Sequence, residues 1–94
     1  MDDFMSLIYG IMNNNYATAE KVGRSNVGLF TIDTCYTVDQ GWETAVWKGN
    51  NPMIIVGRYA TKEEAAQGHN DWCAVCANNP TSAWSVQIDD YENF

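Results

Sequence analysis

The sequence predicts an α+β domain: a mainly antiparallel sheet of three to five strands, with a long helix over about residues 61–78 and a short N-terminal helix packed on it. Three observations predict it. The stretch "GLFTIDTCYTV" alternates β-branched and aromatic residues, which suit a pleated surface. Turn signals at "DQG" (39–41) and "GNNP" (49–52) cut the chain beyond it into hairpin-length pieces. "TKEE" at 61–64 is a capping box, in which Thr61 accepts from the Glu64 amide and Glu64 reaches back to the Thr61 amide. Successive hairpins make antiparallel neighbours, and helices cover one face of such a sheet.

Taken in order, "FMSLIYGIM" places Phe4, Leu7, Ile8 and Ile11 at helical spacing, and the Asn13–Asn15 run ends that helix. "YATAEKV" is expected as a first strand. In the next strand Phe30, Ile32, Thr34, Tyr36 and Val38 share the more apolar face and are assigned inward. Leu29, Thr31, Asp33, Cys35 and Thr37 share the other. "WETAVWK" and "MIIVGRY" form the next hairpin. A symmetric turn sets Glu43 across from Arg58, a pair worth about 0.2–1 kcal/mol. Alternation sends Trp42 and Trp47 to opposite faces. The helix is stopped by Asn79-Pro80, "SAWSVQI" is a last strand, and residues 89–94 are an acidic tail. One domain is expected.

The net charge of −7, from twelve acidic and five basic side chains, disfavours long nucleic acid, because no basic stripe exists to release counterions. Residues 4–12 are too short an apolar run to span a bilayer, and the opening Met1-Asp2-Asp3 is acidic where a secretory signal is basic. Three cysteines then point to free thiols in a reducing compartment.

His69, Cys73 and Cys76 stand at i, i+4 and i+7, and with Cys35 they make a nominal Cys₃His zinc set. Three ligands on one unbroken helix span about 10 Å of axis, too far for one tetrahedral ion. The favoured reading is core thiols beside a sheet, with His69 bonding a strand carbonyl and Gly68 permitting close approach. A redox CxxC belongs at a helix N-terminus, whereas this one lies near the C-terminus, where the dipole raises a thiol's pKa. No metal and no cofactor are expected. Cys35, His69 and Asp33 can be written as a nucleophile, base and acid, but nothing in the pattern sets them together, and a non-enzyme is expected.

The strings "IDTCYTVDQGWETAV" and "MIIVGRYATKEEAAQGHNDW" resemble a family of small bacteriophage and prophage proteins. The resemblance covers about residues 29–72, and "LIYGIMNNNYA" extends it. The family pattern holds the Gly-His and the Trp but not both cysteines. The resemblance implies a phage origin, action in the host bacterial cytoplasm, and antagonism of host antiviral defence by binding. The first expectation is sequestration of a small, cyclic nucleotide signal between subunits of a homo-oligomer. Arg58, Lys48 and Arg24 are the candidates to meet phosphate, Trp47 and Tyr36 to stack on a base, and His69 completes the set. The alternatives are an acidic inhibitor that covers a basic site on a host defence protein, and a minor phage protein with no defence role.

Overall fold

A computed structural model describes residues 20–94, with the backbone alone for Glu20 and Lys21. The expected N-terminal helix lies outside the described residues. Four strands, β1 (Glu20–Val27), β2 (Phe30–Thr37), β3 (Gly41–Lys48) and β4 (Ile54–Tyr59), form one antiparallel sheet in the order β1-β2-β3-β4. The α+β class is therefore as expected.

Residues 16–19 of the expected first strand lie outside the described residues, and β1 runs beyond its expected end to Val27, through Gly23, Ser25 and Asn26, which show no strand period of their own. Pairing with β2 imposes the strand, with a bulge between Lys21 and Gly23. The β1–β2 loop has two residues, and Gly28 takes a φ of 59° at its first position. That is the place where a tight hairpin turn needs glycine.

The inward face of β2 packs as expected. Phe30 and Ile32 join Val46, Ile54 and Val56 in a core closed by Cys76 and Ala83. The assignment of a single inward face needs correction. Cys35, Ala45, Trp47 and Ile55 form a second buried cluster on the opposite face, with Met53 and Val86 packed against it. Asp33, on that same face, is wholly buried. Val38 is exposed, because β2 ends at Thr37 and the alternation stops with it. Trp42 and Trp47 do lie on opposite faces: Trp42 meets Tyr36 at 5.3 Å between ring centroids on the helix side, while Trp47 belongs to the second cluster.

The helix, α1 (Lys62–Cys76), starts at Thr61, whose Oγ1 accepts from the Glu64 amide at 3.1 Å. The returning half of the box is shifted by one residue: the Ala60 amide, not that of Thr61, donates to Glu64 Oε1 at 3.1 Å. Glu63 and Glu64 oppose the positive end of the helix dipole. Where α1 crosses the sheet, the Tyr59 ring fills the space that a Cβ on Gly57 or on Gly68 would need. The two glycines flank one phenol and bring helix and strand together around it.

β5 (Ser82–Ser85) and β6 (Asp90–Asn93) form a separate two-stranded sheet, bridged to β4 by the Val86 amide donating to the Ile55 carbonyl at 2.9 Å. The expected last strand is thus shorter, and the expected tail is half of a hairpin. Tyr91 pairs with Trp84, and the Phe94 ring meets Phe30 at 5.0 Å. No helix among the described residues is long and apolar enough to cross a membrane.

Candidate functional site

Two groups of polar side chains stand on opposite sides of the sheet. The first lies in the seam beneath α1. His69 is buried, with Nε2 hydrogen-bonded to Ser25 Oγ at 2.9 Å and Nδ1 to Thr34 Oγ1 at 2.8 Å. Thr34 Oγ1 in turn meets Thr44 Oγ1 at 2.6 Å. The imidazole therefore bonds strand hydroxyls rather than the expected carbonyl, tying α1 to β1 and β2 directly and to β3 through Thr34. A serine and a histidine at this distance invite comparison with a nucleophile and its base. Behind Nδ1, however, stands a neutral hydroxyl, which does little to stabilise an imidazolium compared with a buried carboxylate.

The cysteines divide the same way. Cys76 belongs to the core under α1 and Cys73 packs against it, whereas Cys35 lies in the cluster beyond the sheet. All three are free thiols. The sheet thus separates Cys35 and Asp33 from His69, and the conceivable nucleophile, base and acid set is not assembled.

Burial pushes the Cys76 thiol up to about 11, with a smaller push from Cys73. A folded-state value above the ordinary 9.0 means that the folded thiol keeps its proton where the unfolded one ionises. Its contribution is then full below about pH 9 and is lost as pH rises toward 11. Urea midpoints at pH 8 and pH 10 check this: the fall between them should be smaller in Cys76→Ala than in the unmodified protein. Equal falls would show that the buried thiol does not set the alkaline limb.

The second group is on the far face. The β1–β2 register sets Arg24 opposite Asp33, and the guanidinium stands 3.7 Å from Asp33 Oδ2. The same guanidinium lies over the Trp47 ring, 5.2 Å from its centroid, a cation–π arrangement. Further along, Arg58 Nε donates to Glu43 Oε2 at 2.7 Å, the cross-strand pair expected from the turn. Trp47 also walls an open cavity of about 310 Å³ formed with Gly49, Asn50, Asn51 and Pro52 of the β3–β4 turn. Asn50 and Asn51 bring amide donors and acceptors to its lining, and Trp47 brings an apolar ring.

No family model matches this chain, and neither does a curated protein or a solved structure.

Of the six residues predicted to bind a ligand, the structure joins two: Trp47 lines the cavity, and Arg24 lies over the Trp47 ring. Arg58 is on the same face but engaged by Glu43. Tyr36 is against Trp42 on the helix side, Lys48 reaches over the Phe30 ring at 5.6 Å, and His69 sits in the seam. These three do not converge with Arg24 and Trp47. Sequence reasoning missed Asn50, Asn51 and Pro52 as cavity residues, because "GNNP" reads fully as turn chemistry. Its one functional signal was a tryptophan two residues before the turn.

Proposed function

We propose that the protein is a small, non-enzymatic binding protein that takes a nucleotide-like ligand at the Trp47 cavity. The carrying observation is one ring with two duties: Trp47 walls a 310 Å³ cavity and is itself held by the Arg24 guanidinium. Ligand pockets run from about 300 to 1,000 Å³, so this one suits a single base with its sugar rather than a whole dinucleotide. The Asn50 and Asn51 amides match the mixed donors and acceptors of a base edge. Both arginines of the far face are balanced by carboxylates, Arg24 by Asp33 and Arg58 by Glu43. Recognition by base and sugar, with one phosphate at Arg24, fits this better than capture of a polyphosphate. A second copy of the chain closing the open side would complete the enclosure and make the binder a homo-oligomer.

The resemblance of residues 29–72 to phage proteins supplies the setting. In that setting the protein acts in the host cytoplasm and withdraws a cyclic nucleotide signal from an antiviral response. Sequestration requires binding without turnover, and the hydroxyl-bound imidazole of His69 is in keeping with that.

A thermal-shift panel of nucleosides and of linear, cyclic mono- and cyclic dinucleotides tests the reading. One compound at about a hundredfold excess over its Kd should stabilise the protein by about 2.7 kcal/mol, a rise of roughly 10 °C or more. Asn51→Ala, at an exposed turn position, should keep the fold and lose most of that rise. No rise across the whole panel contradicts the proposal.

A further inference from the structure

We propose that the outer face of the β5–β6 hairpin docks a cationic, arginine-bearing segment of a protein partner. Ala83 and Ser85 face the interior and are buried. Trp84, between them, points outward, and so does its cross-strand partner Tyr91, so that two large rings stand directly across the hairpin. Their centroids are 5.1 Å apart and their planes meet at 88°, which makes two walls of a corner. Both stay in solvent, Trp84 at 43% and Tyr91 at 67% exposure, with Ile88 of the connecting turn at 56%. A pair of rings packed on each other but not on the core is a platform with one side open.

Charge selects the occupant. Between Ser82 and Phe94 the chain carries Asp89, Asp90 and Glu92 and no basic residue. Asp90, exposed and next to Tyr91 along β6, accepts from the Tyr91 amide at 2.7 Å. Nucleic acid and anionic lipid are repelled by this surface, and a second copy would set the same acids against one another. A guanidinium satisfies both features, lying flat on an aromatic face while its edge meets a carboxylate. None of the residues that line the Trp47 cavity takes part, so this surface is independent of the nucleotide site.

The probe is a fluorescent Arg-Gly repeat peptide, with Lys-Gly and Glu-Gly repeats as controls, followed by anisotropy in 0.15 M salt on the full chain. The Arg-Gly peptide should bind, the Lys-Gly peptide more weakly, and the Glu-Gly peptide not at all. Trp84→Ala and Tyr91→Ser should each weaken binding about tenfold with the fold retained. Should either variant unfold, the Trp84 indole resonance of the unmodified protein decides, and it should move on peptide addition. Failure of the Arg-Gly peptide to bind overturns the proposal. So does binding that Trp84→Ala and Tyr91→Ser leave unchanged, which is charge attraction alone. So does a dimer abolished by Trp84→Ala, which gives the face to a second copy. Nucleotide affinity should be the same with and without peptide.

Discussion

Gly68→Ala is expected to destabilise the protein by about 2 kcal/mol, lowering its thermal midpoint by roughly 10 °C. The sign is the informative part. Gly68 lies inside α1, where alanine is intrinsically the better helix former by about 1 kcal/mol. Propensity alone predicts a gain. At this position the new methyl would stand inside the Tyr59 phenol, which is already pressed against Gly57 from the strand side. The ring must give up its place between the two glycines or helix and sheet must separate, and overpacking of this kind costs about 1–3 kcal/mol, occasionally more. Separation would also stretch the hydrogen bonds of the adjacent His69 to Ser25 and Thr34. Removing the ring should release the strain. Gly68→Ala combined with Tyr59→Leu should be less destabilised than the sum of the two single changes, with a coupling of about 1 kcal/mol or more. Urea unfolding of the four proteins measures it. A stabilised Gly68→Ala would show that Tyr59 does not occupy the gap.

Trp47→Ala should remove about 3 kcal/mol or more of stability, the cost of emptying a large ring from a packed site. Trp47 is 8% exposed and packs with Cys35, Ala45 and Ile55, so neighbours on three strands lose contacts. Arg24 loses the ring beneath it and keeps Asp33. A chain of this length has roughly 5–14 kcal/mol of stability in total, so the variant should remain folded but weakened. Trp47→Phe separates stability from recognition. It retains an apolar ring and most of the packing, and it gives a ligand less surface to stack on. Its nucleotide affinity by calorimetry should fall about tenfold, which corresponds to about 1.4 kcal/mol. Unchanged affinity in Trp47→Phe would remove the ring from the site.

Particular residues show how far the fold is legible in the sequence. A symmetric four-residue turn predicts the pairing of Glu43 with Arg58, and it is correct because two offsets cancel. Near the turn the register is one residue off symmetry, with Ala45 opposite Ile55. The bulge at Val56 then restores it, so that Thr44 faces Gly57 and Glu43 faces Arg58. The capping box is legible because its partners are three residues apart and need nothing from tertiary structure. β1 is not, because its strand state comes from β2 across the hairpin rather than from its own composition. Polarity places Asp33 and Cys35 outward, yet both are buried, since a sheet covered on both faces gives alternation no solvent side to mark. "DDYENF" reads as a tail because its acids mask a tyrosine whose cross-strand partner, Trp84, lies seven residues earlier. For the site, Trp47 is visible as a ring that cannot share a core with Trp42. Its union with Arg24 depends on the β1–β2 register, which only the fold supplies.

The most direct test is a titration followed by the backbone amide and tryptophan indole resonances, using the nucleotide that raises the thermal midpoint most. The Trp47 indole and the amides of Gly49, Asn50 and Asn51 should shift first and saturate together, while the resonances of Ser25, Thr34 and His69 in the seam stay in place. Saturable shifts that begin at His69 or Tyr36 and leave Trp47 unmoved would put the ligand on the wrong side of the sheet and contradict the account.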